Sequence, residues 1–299
     1  MARRKKGIKV DGWLVIDKPL GITSSGVVGK VKFLTKAQKV GHGGTLDPLA
    51  SGILPIGLGE ATKTMPFIVD ASKEYAFTVK FGTATDSDDL EGEIIESGGR
   101  IPLENEILEV LPRFTGTIEQ IPPAYSAIKV DGQRAYKLAR DGEEVELKSR
   151  PVEIQELSLT SFDADKGEAA FHVRCGKGTY VRSLARDIAR TVGSCGHVVA
   201  LRRLRVGPFG LKDAISLEKL EELGHSAPAQ DYVSPITTAL DDIPAVAVTD
   251  EEAKRIRCGM TLLKPEIKQG TLVLMDGDVP LAVAENTNGT IRSLRVFNM

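Results

Sequence analysis

The stretch GHGGTLDPLASGILPIGLGEATK, residues 41–63, sets one histidine, His42, and one aspartate, Asp47, among six glycines. A carboxylate on such a loop can serve as a nucleophile or a general base, and the glycines let main chain approach a ligand closely. Phosphate is the commonest ligand of a glycine loop, so nucleotide binding is the first chemistry to test. The residue order fails that test. Neither GITSSGVVGK nor GLGEATK has the spacing of a Walker loop, and no G-x-G-x-x-G opens a helix after a strand. The G-x-S-x-G of serine hydrolases is absent. Four histidines and three cysteines offer only Cys195-Gly-His197 as a close pair, too little for a zinc site. Carboxylates remain the reactive groups.

Taken singly, each candidate also has a plain structural explanation. Asp47 before Pro48 suits an Asx turn, and His42 between two glycines suits a loop histidine bonded to backbone. Tyr75 suits a core aromatic. Arg182 suits a solvated helix face.

The elements that must position these residues are readable from pattern. GWLVIDKP (12–19) predicts a short strand stopped by Pro19, and SSGVVGKVKFLT predicts a helix capped by Ser24 or Ser25. YAFTVKFG (75–82) alternates, with Tyr75, Phe77, Val79 and Phe81 on one face of a half-buried strand. FHVRC (171–175) alternates too and leads through GKGTY into VRSLARDIARTV. There Val181, Leu184, Ala185, Ile188 and Val192 form an apolar helical stripe, with Arg182, Arg186 and Arg190 opposite. Residues 122–150 are polar and read as an excursion from the core. Beyond residue 245, hairpin signals at Asp276-Gly277 and Asn288-Gly289 predict a small β-rich module, with 224–243 as its connector.

The chain has 299 residues, 41% of them hydrophobic, which allows one large core and a small second domain. No apolar run approaches the roughly 20 residues of a membrane helix, and the MARRKK start is not followed by a signal-peptide pattern. Three cysteines without close pairing suit a reducing compartment, so a cytoplasmic location is expected. The net charge of −2 conceals an uneven distribution. Residues 1–65 carry eleven Lys or Arg against four acids, and residues 174–205 carry eight against one, while acids gather in 86–109. If the two basic segments meet in space they form a positive groove for a phosphate backbone; otherwise they are solvated faces.

Six blocks in order, DKPLGITSS, VGHGGTLDPLASGILPIGLGEATK, KEYAFTVKFGTATDSDDLEG, IPPAYSAIKVDGQRAYKLAR, GKGTYVRSLARDIA and LRRLRVGPF, resemble the bacterial tRNA pseudouridine-55 synthases of the TruB type. The match runs nearly end to end. The resemblance implies an α+β fold: a pseudouridine-synthase catalytic domain over 1–235, with a largely antiparallel mixed sheet and flanking helices, and 122–150 as an RNA-binding excursion. It also implies a small C-terminal β-rich, PUA-like RNA-binding domain over 245–299. The implied reaction converts uridine 55 in the T-arm of tRNA to its C-glycoside, with no cofactor and no metal.

Carried over by position, Asp47 matches the family's catalytic aspartate, and Tyr75, Tyr180, Arg182, His42 and Leu201 match residues lining its uridine pocket. Tyr75 and Arg182 are implied to share in catalysis. Breaking a C–N glycosidic bond and rejoining the base through C5 suits a carboxylate that can form a covalent adduct or take a proton. An arginine beside Asp47 favours its charged form, and the planar fork of Arg182 can also grip Asp89. The base must leave its stack at a cost of about a few kcal/mol, of which stacking on Tyr75 returns roughly 1–3 kcal/mol. His42 would fill the gap left in the RNA loop. Lys63, Lys129, Arg134, Arg202 and Arg203 are the expected RNA contacts. The expected partner is a tRNA T-arm stem-loop, bound by a monomer with no membrane and no guide RNA, since the long extensions of guide-dependent relatives are missing. Two rivals are a non-catalytic tRNA-binding or folding protein using the same pocket, and a carboxylate nucleosidase acting on free nucleosides.

Overall fold

The computed structural model describes residues 7–126, 129–130, 133–134 and 147–299. The chain begins with β1 (Gly12–Lys18), α1 (Ser24–Thr35), β2 (Val40–His42), β3 (Ala50–Leu58), α2 (Met65–Asp70) and β4 (Lys73–Phe81). A hairpin of β5 (Thr83–Thr85) and β6 (Ile94–Ser97) follows, then α3 (Glu104–Val110), β7 (Gly116–Gln120) and the short strands β8 (Lys129–Val130) and β9 (Gln133–Arg134). Next come β10 (Arg150–Asp163), β11 (Glu168–Cys175), α4 (Val181–Thr191), β12 (Gly196–Val206), β13 (Phe209–Gly210), β14 (Ala214–Ile215) and α5 (Leu217–Ser226). The remainder is β15 (Ala245–Ala247), α6 (Asp250–Arg257), β16 (Leu262–Leu263), β17 (Gly270–Asp276), β18 (Val279–Thr287) and β19 (Thr290–Val296).

Ten strands form one mixed sheet in the order β14-β1-β3-β12-β4-β11-β10-β7, with β2 added to β3 and β13 to β12. Its pairings are antiparallel except β1 with β14 and β12 with β3. The fold is therefore α+β with a largely antiparallel mixed sheet. Strand β3 is apolar because it is buried on both faces. Ile53 packs with Trp13, Phe209 and Val206, while Leu54, Ile56 and Leu58 pack with Val27 and Val31 of α1 and Leu220 of α5. Where β3 runs beside β12, Gly52 has φ +103°, and a Cβ there would lie 2.1 Å from the Arg203 carbonyl oxygen. Only glycine fits at that crossing.

The cap of α1 differs from the sequence expectation by one residue. Thr23 is the N-cap, its hydroxyl accepting from Gly26 N at 3.0 Å. Ser24 is buried, and its hydroxyl donates to Leu46 O at 3.0 Å and accepts from Leu46 N at 2.8 Å. The serine expected to cap a helix thus pins the residue before Asp47.

Helix α4 buries its predicted stripe against β4 and β11, in a cluster with Phe77, Phe81 and Phe171. Of its basic face only Arg190 is exposed as the pattern suggests. Arg182 is buried, and Arg186 pairs with Asp88 at 2.9 Å and Asp187 at 2.9 Å. The same holds elsewhere in the second basic segment: Arg202 pairs with Asp17 at 2.7 Å, Arg205 with Glu74 at 3.0 Å and Lys177 with Asp70 at 3.2 Å. Much of the charge surplus of residues 174–205 is thus paired with acids of the same chain, at the surface for Lys177 and Asp70 and more deeply for Arg186 and Arg205.

Residues beyond 244 form a second sheet, ordered β15-β17-β18-β19-β16, around Ala253, Ile256, Leu274 and Ile291. Both predicted hairpins are present, and Asn288 (φ 50°) and Gly289 (φ 81°) make the two-residue turn between β18 and β19. The connector is not a free linker. Ile236 and Leu240 are buried, and Ser234 exchanges two backbone hydrogen bonds with Trp13, at 2.7 and 2.8 Å. Val273 and Val283 of the second sheet, with Phe297 just beyond its last strand, share one core with Trp13 and Phe209 of the first. Glu60 accepts from Asn298 N at 2.7 Å, and Lys63 donates to Val296 O at 2.7 Å.

Removing residues 245–299 should therefore destabilise the ten-stranded sheet itself. Losing three buried apolar side chains, each worth about 1.5–3 kcal/mol, should lower the melting temperature by roughly 10 °C or more. Circular dichroism melts of the two chains check this; coincident melts would show that the modules are energetically independent. Among the described residues, no helix is long and apolar enough to cross a membrane.

Candidate active site

Asp47 sits on the loop between β2 and β3, its carbonyl accepting from Ala50 N at 3.1 Å and its side chain 39% exposed. In the first turn of α4, Arg182 brings Nε to 3.1 Å from Asp47 Oδ2 and Nη1 to 3.2 Å from Asp89 Oδ2. Nη1 also donates to Ser87 O at 2.8 Å, and Nη2 to Tyr125 O at 2.9 Å. The guanidinium is nearly saturated and only 6% exposed, so it is aimed at Asp47 with little freedom to move. Its helix is anchored just ahead of it, where the buried Gln120 side chain accepts from Tyr180 N at 2.8 Å and donates to Tyr180 O at 3.1 Å.

Beneath the loop lie two buried cations. Lys18 donates to the carbonyls of Pro19 at 3.0 Å, Ile22 at 2.8 Å and Pro48 at 3.3 Å. Arg203, 1% exposed, donates through Nε to Ile53 O at 2.7 Å, through Nη1 to Thr45 O at 3.3 Å and through Nη2 to Gly44 O at 3.1 Å. Gly44 adopts φ +114°, which turns its carbonyl toward this guanidinium. The Tyr75 hydroxyl lies against Arg203 as well. Arg203, expected to contact RNA, instead directs its donors to main-chain carbonyls inside the protein. It is the internal post on which the glycine loop and Tyr75 rest.

The other expected RNA contacts have mixed fates. Lys63 is held by Glu60 at 2.6 Å and by the Val296 carbonyl, so it joins the two sheets. Arg202 is 38% exposed but forms two bonds to Asp17, at 3.0 and 2.7 Å. Lys129 and Arg134 face each other in the β8–β9 ladder, and their side chains lie outside the described residues, as does most of the 122–150 excursion.

Asp47 and Arg182 stand where two cavities meet. One, of about 330 Å³, is lined by Tyr75, Tyr180, Leu201 and Lys73, with Arg203 at its floor. The other, of about 770 Å³, is lined by Ser25, His42, Asp86, Glu93 and Tyr125. Both fall within or near the roughly 300–1,000 Å³ of ligand sites. The structure thus brings Tyr75, Tyr180 and Leu201 together on one side of Asp47 and sets His42 on the other. Leu201 is there because β12 aligns it with Phe77 of β4 on one edge and Ala50 of β3 on the other.

The electrostatics follow from burial. Desolvation raises the Tyr75 phenol, with Arg203 opposing, so the ring stays neutral. Burial and then Arg203 lower His42, leaving a neutral imidazole. Lys73, whose ammonium closes the C-terminus of α2 on the Val69 and Ala71 carbonyls, is lowered to about 8 by burial and by Arg203. Lys18 falls from 10.5 to about 8, chiefly by burial, with Asp47 opposing.

Because the folded-state value of Lys18 lies below its unfolded value, its buried charge destabilises the fold fully below pH 8. That penalty fades as pH rises toward 10.5. Wild type should therefore gain stability relative to Lys18→Met between pH 8 and pH 10. Urea unfolding of both proteins at the two pH values checks this, and parallel pH dependence would show that Lys18 does not titrate there. Pattern alone could have marked Lys18, the inward lysine closing an apolar strand. Gln120, Ser87 and Tyr125 carried no such signal. Among the described residues, no group of three or more His, Cys, Asp or Glu is arranged to hold a metal.

Solved structures share this architecture. A chain of an H/ACA ribonucleoprotein bound to a substrate RNA containing 2′-deoxyuridine superposes with TM-score 0.75 at 23% identity, covering 100% of this chain and 92% of that one. A chain of a Cbf5-Nop10-Gar1 complex gives 0.71 at 25% identity, covering 96% and 83%. The family model that matches half of this chain makes it a pseudouridylate synthase by class. More specifically, the chain belongs to the TruB family: the TruB family pseudouridylate synthase N-terminal domain matches residues 32–181, and the tRNA pseudouridylate synthase B C-terminal domain matches 182–241. It is 52% identical over 299 residues to the tRNA pseudouridine synthase B of Bradyrhizobium diazoefficiens, covering 97% of this chain and 86% of that protein. It is 48% identical over 310 residues to the protein of that name from Caulobacter vibrioides, each covered completely. The boundary between the two matched domains falls inside α4, between Val181 and Arg182, so both contribute to one site.

Proposed function

We propose that this chain isomerises uridine 55 in the T-arm of tRNA to pseudouridine. The observation that carries the reading is the Asp47–Arg182 contact at 3.1 Å, at the junction of a nucleotide-sized cavity and a wider groove. The target base, taken out of its stack, rests against Tyr75 and Leu201, where a neutral phenol ring suits an uncharged uracil. Asp47 then faces the glycosidic bond. The C1′–N1 bond breaks, the uracil turns, C1′–C5 forms, C5 gives up a proton and N1 gains one. Substrate and product contain the same atoms, so no oxidant, reductant or co-substrate enters the balance. A carboxylate can form a covalent adduct or take the C5 proton, and Arg182 holds it in register for either.

The same reading has the protein acting as a cytoplasmic monomer without guide RNA, with residues 245–299 as a PUA-like RNA-binding module. It is supported by the much higher identity to tRNA pseudouridine synthase B proteins than to the ribonucleoprotein chains. The test is incubation with an unmodified tRNA transcript and chemical mapping of pseudouridine. Conversion confined to position 55 is expected. Binding without conversion would support a folding protein instead, and turnover of free uridine a nucleosidase.

A further inference from the structure

We propose that Arg150, at the start of β10, takes a backbone phosphate of the nucleotide entering the cavity beside Tyr75. The inference rests on the tRNA reading above and names a contact within it. Arg150 lines the 330 Å³ cavity on the wall formed by Gly176, Gly178 and Tyr180. Its guanidinium carbon lies 5.1 Å from the centre of the Tyr180 ring, and Nη2 donates to the Gly178 carbonyl. The aromatic face and that carbonyl fix the plane of the fork before any ligand arrives.

Two observations set Arg150 apart from the other cations at this site. Its Nε is buried yet has no hydrogen-bond partner among the described residues, a costly state for a donor attached to a cation. No carboxylate among the described residues pairs with it, whereas Arg182, Arg186, Arg202 and Arg205 are all committed to acids. Lys73 and Arg203 line the same cavity, but their donors are taken by main-chain carbonyls. The cavity thus keeps one oriented guanidinium whose charge no carboxylate among the described residues offsets. Its chemistry matches a planar pair of anionic oxygens, as in a phosphodiester. Gly176 and Gly178 beside it leave the wall without side chains, so a sugar-phosphate chain can approach closely. With the base against Tyr75 and the glycosidic bond at Asp47, the phosphates of the same nucleotide are the anionic groups brought nearest this wall.

The test uses the full chain and T-arm stem-loops carrying a neutral methylphosphonate immediately 5′ or 3′ of the target uridine. Wild type should bind one of the two roughly tenfold more weakly than unmodified RNA, the size expected for one lost charge-assisted contact. Arg150→Gln should bind unmodified RNA about tenfold more weakly and show no further loss with that methylphosphonate. Arg150→Lys, which keeps the charge, should retain part of the sensitivity. Wild-type conversion of the unmodified stem-loop tests the tRNA reading separately. If Arg150→Gln binds unmodified RNA like wild type, or stays as sensitive as wild type to both methylphosphonates, the proposal is overturned.

Discussion

Asp47→Asn should lower pseudouridine formation by roughly 10⁴-fold or more, because an amide can neither form the adduct nor take the proton. Tight tRNA binding should persist within a few-fold. Affinity rests on phosphate contacts and stacking spread over a surface far larger than one carboxylate. The fold should also survive, since the Asp47 side chain is 39% exposed and Arg182 keeps Asp89, Ser87 and Tyr125 as partners. Single-turnover conversion, equilibrium binding and circular dichroism on one preparation decide the matter. Substantial residual turnover would remove Asp47 from the chemistry. Loss of binding together with activity would favour its simpler explanation, a turn former before Pro48.

Arg203→Met should be nearly as damaging, but by a different route. The variant leaves the buried carbonyl of Ile53 and the partly buried carbonyls of Gly44 and Thr45 without their donor and frees the Tyr75 hydroxyl. Stability should fall by about 1–3 kcal/mol for each carbonyl left buried without a donor. Where the chain still folds, the rate should drop roughly 10²-fold through misplacement of the Asp47 loop. Arg203→Lys, which keeps charge without the fork, should fall between. Denaturant unfolding and single-turnover rates measure both effects. A variant of unchanged stability and rate, with weaker binding and a salt slope reduced by about one, would restore Arg203 to the RNA surface.

Local elements were legible because their causes are local. The alternation of 75–82, the apolar stripe of 181–192 and the Asn288-Gly289 turn each state their geometry within a few residues. What could not be read was the use of charge. Arg182, Arg186, Arg202 and Arg205 look like a basic surface until strand order sets Asp47, Asp88, Asp17 and Glu74 beside them. Ser24 fails as a cap for the same reason: the backbone that claims its hydroxyl, at Leu46, lies 22 residues away. The candidate site was found through the six quoted blocks, since Asp47, Tyr75 and Arg182 each have ordinary structural uses when taken alone.

The position of β12 bears on when the pocket exists at all. Strands β3 and β4 follow one another in the chain, yet they are not neighbours in the sheet, because β12 lies between them. Asp47 hangs from the start of β3, Tyr75 belongs to β4, and Leu201 and Arg203 come from β12 itself. The pocket is therefore assembled only when a distant strand has been threaded between two nearby ones, a long-range closure of the kind that slows folding. Helices and the outer hairpins can form earlier, giving a partly ordered chain that has secondary structure but no catalytic centre. During refolding, activity should return with the slowest phase and not with the first gain of ellipticity.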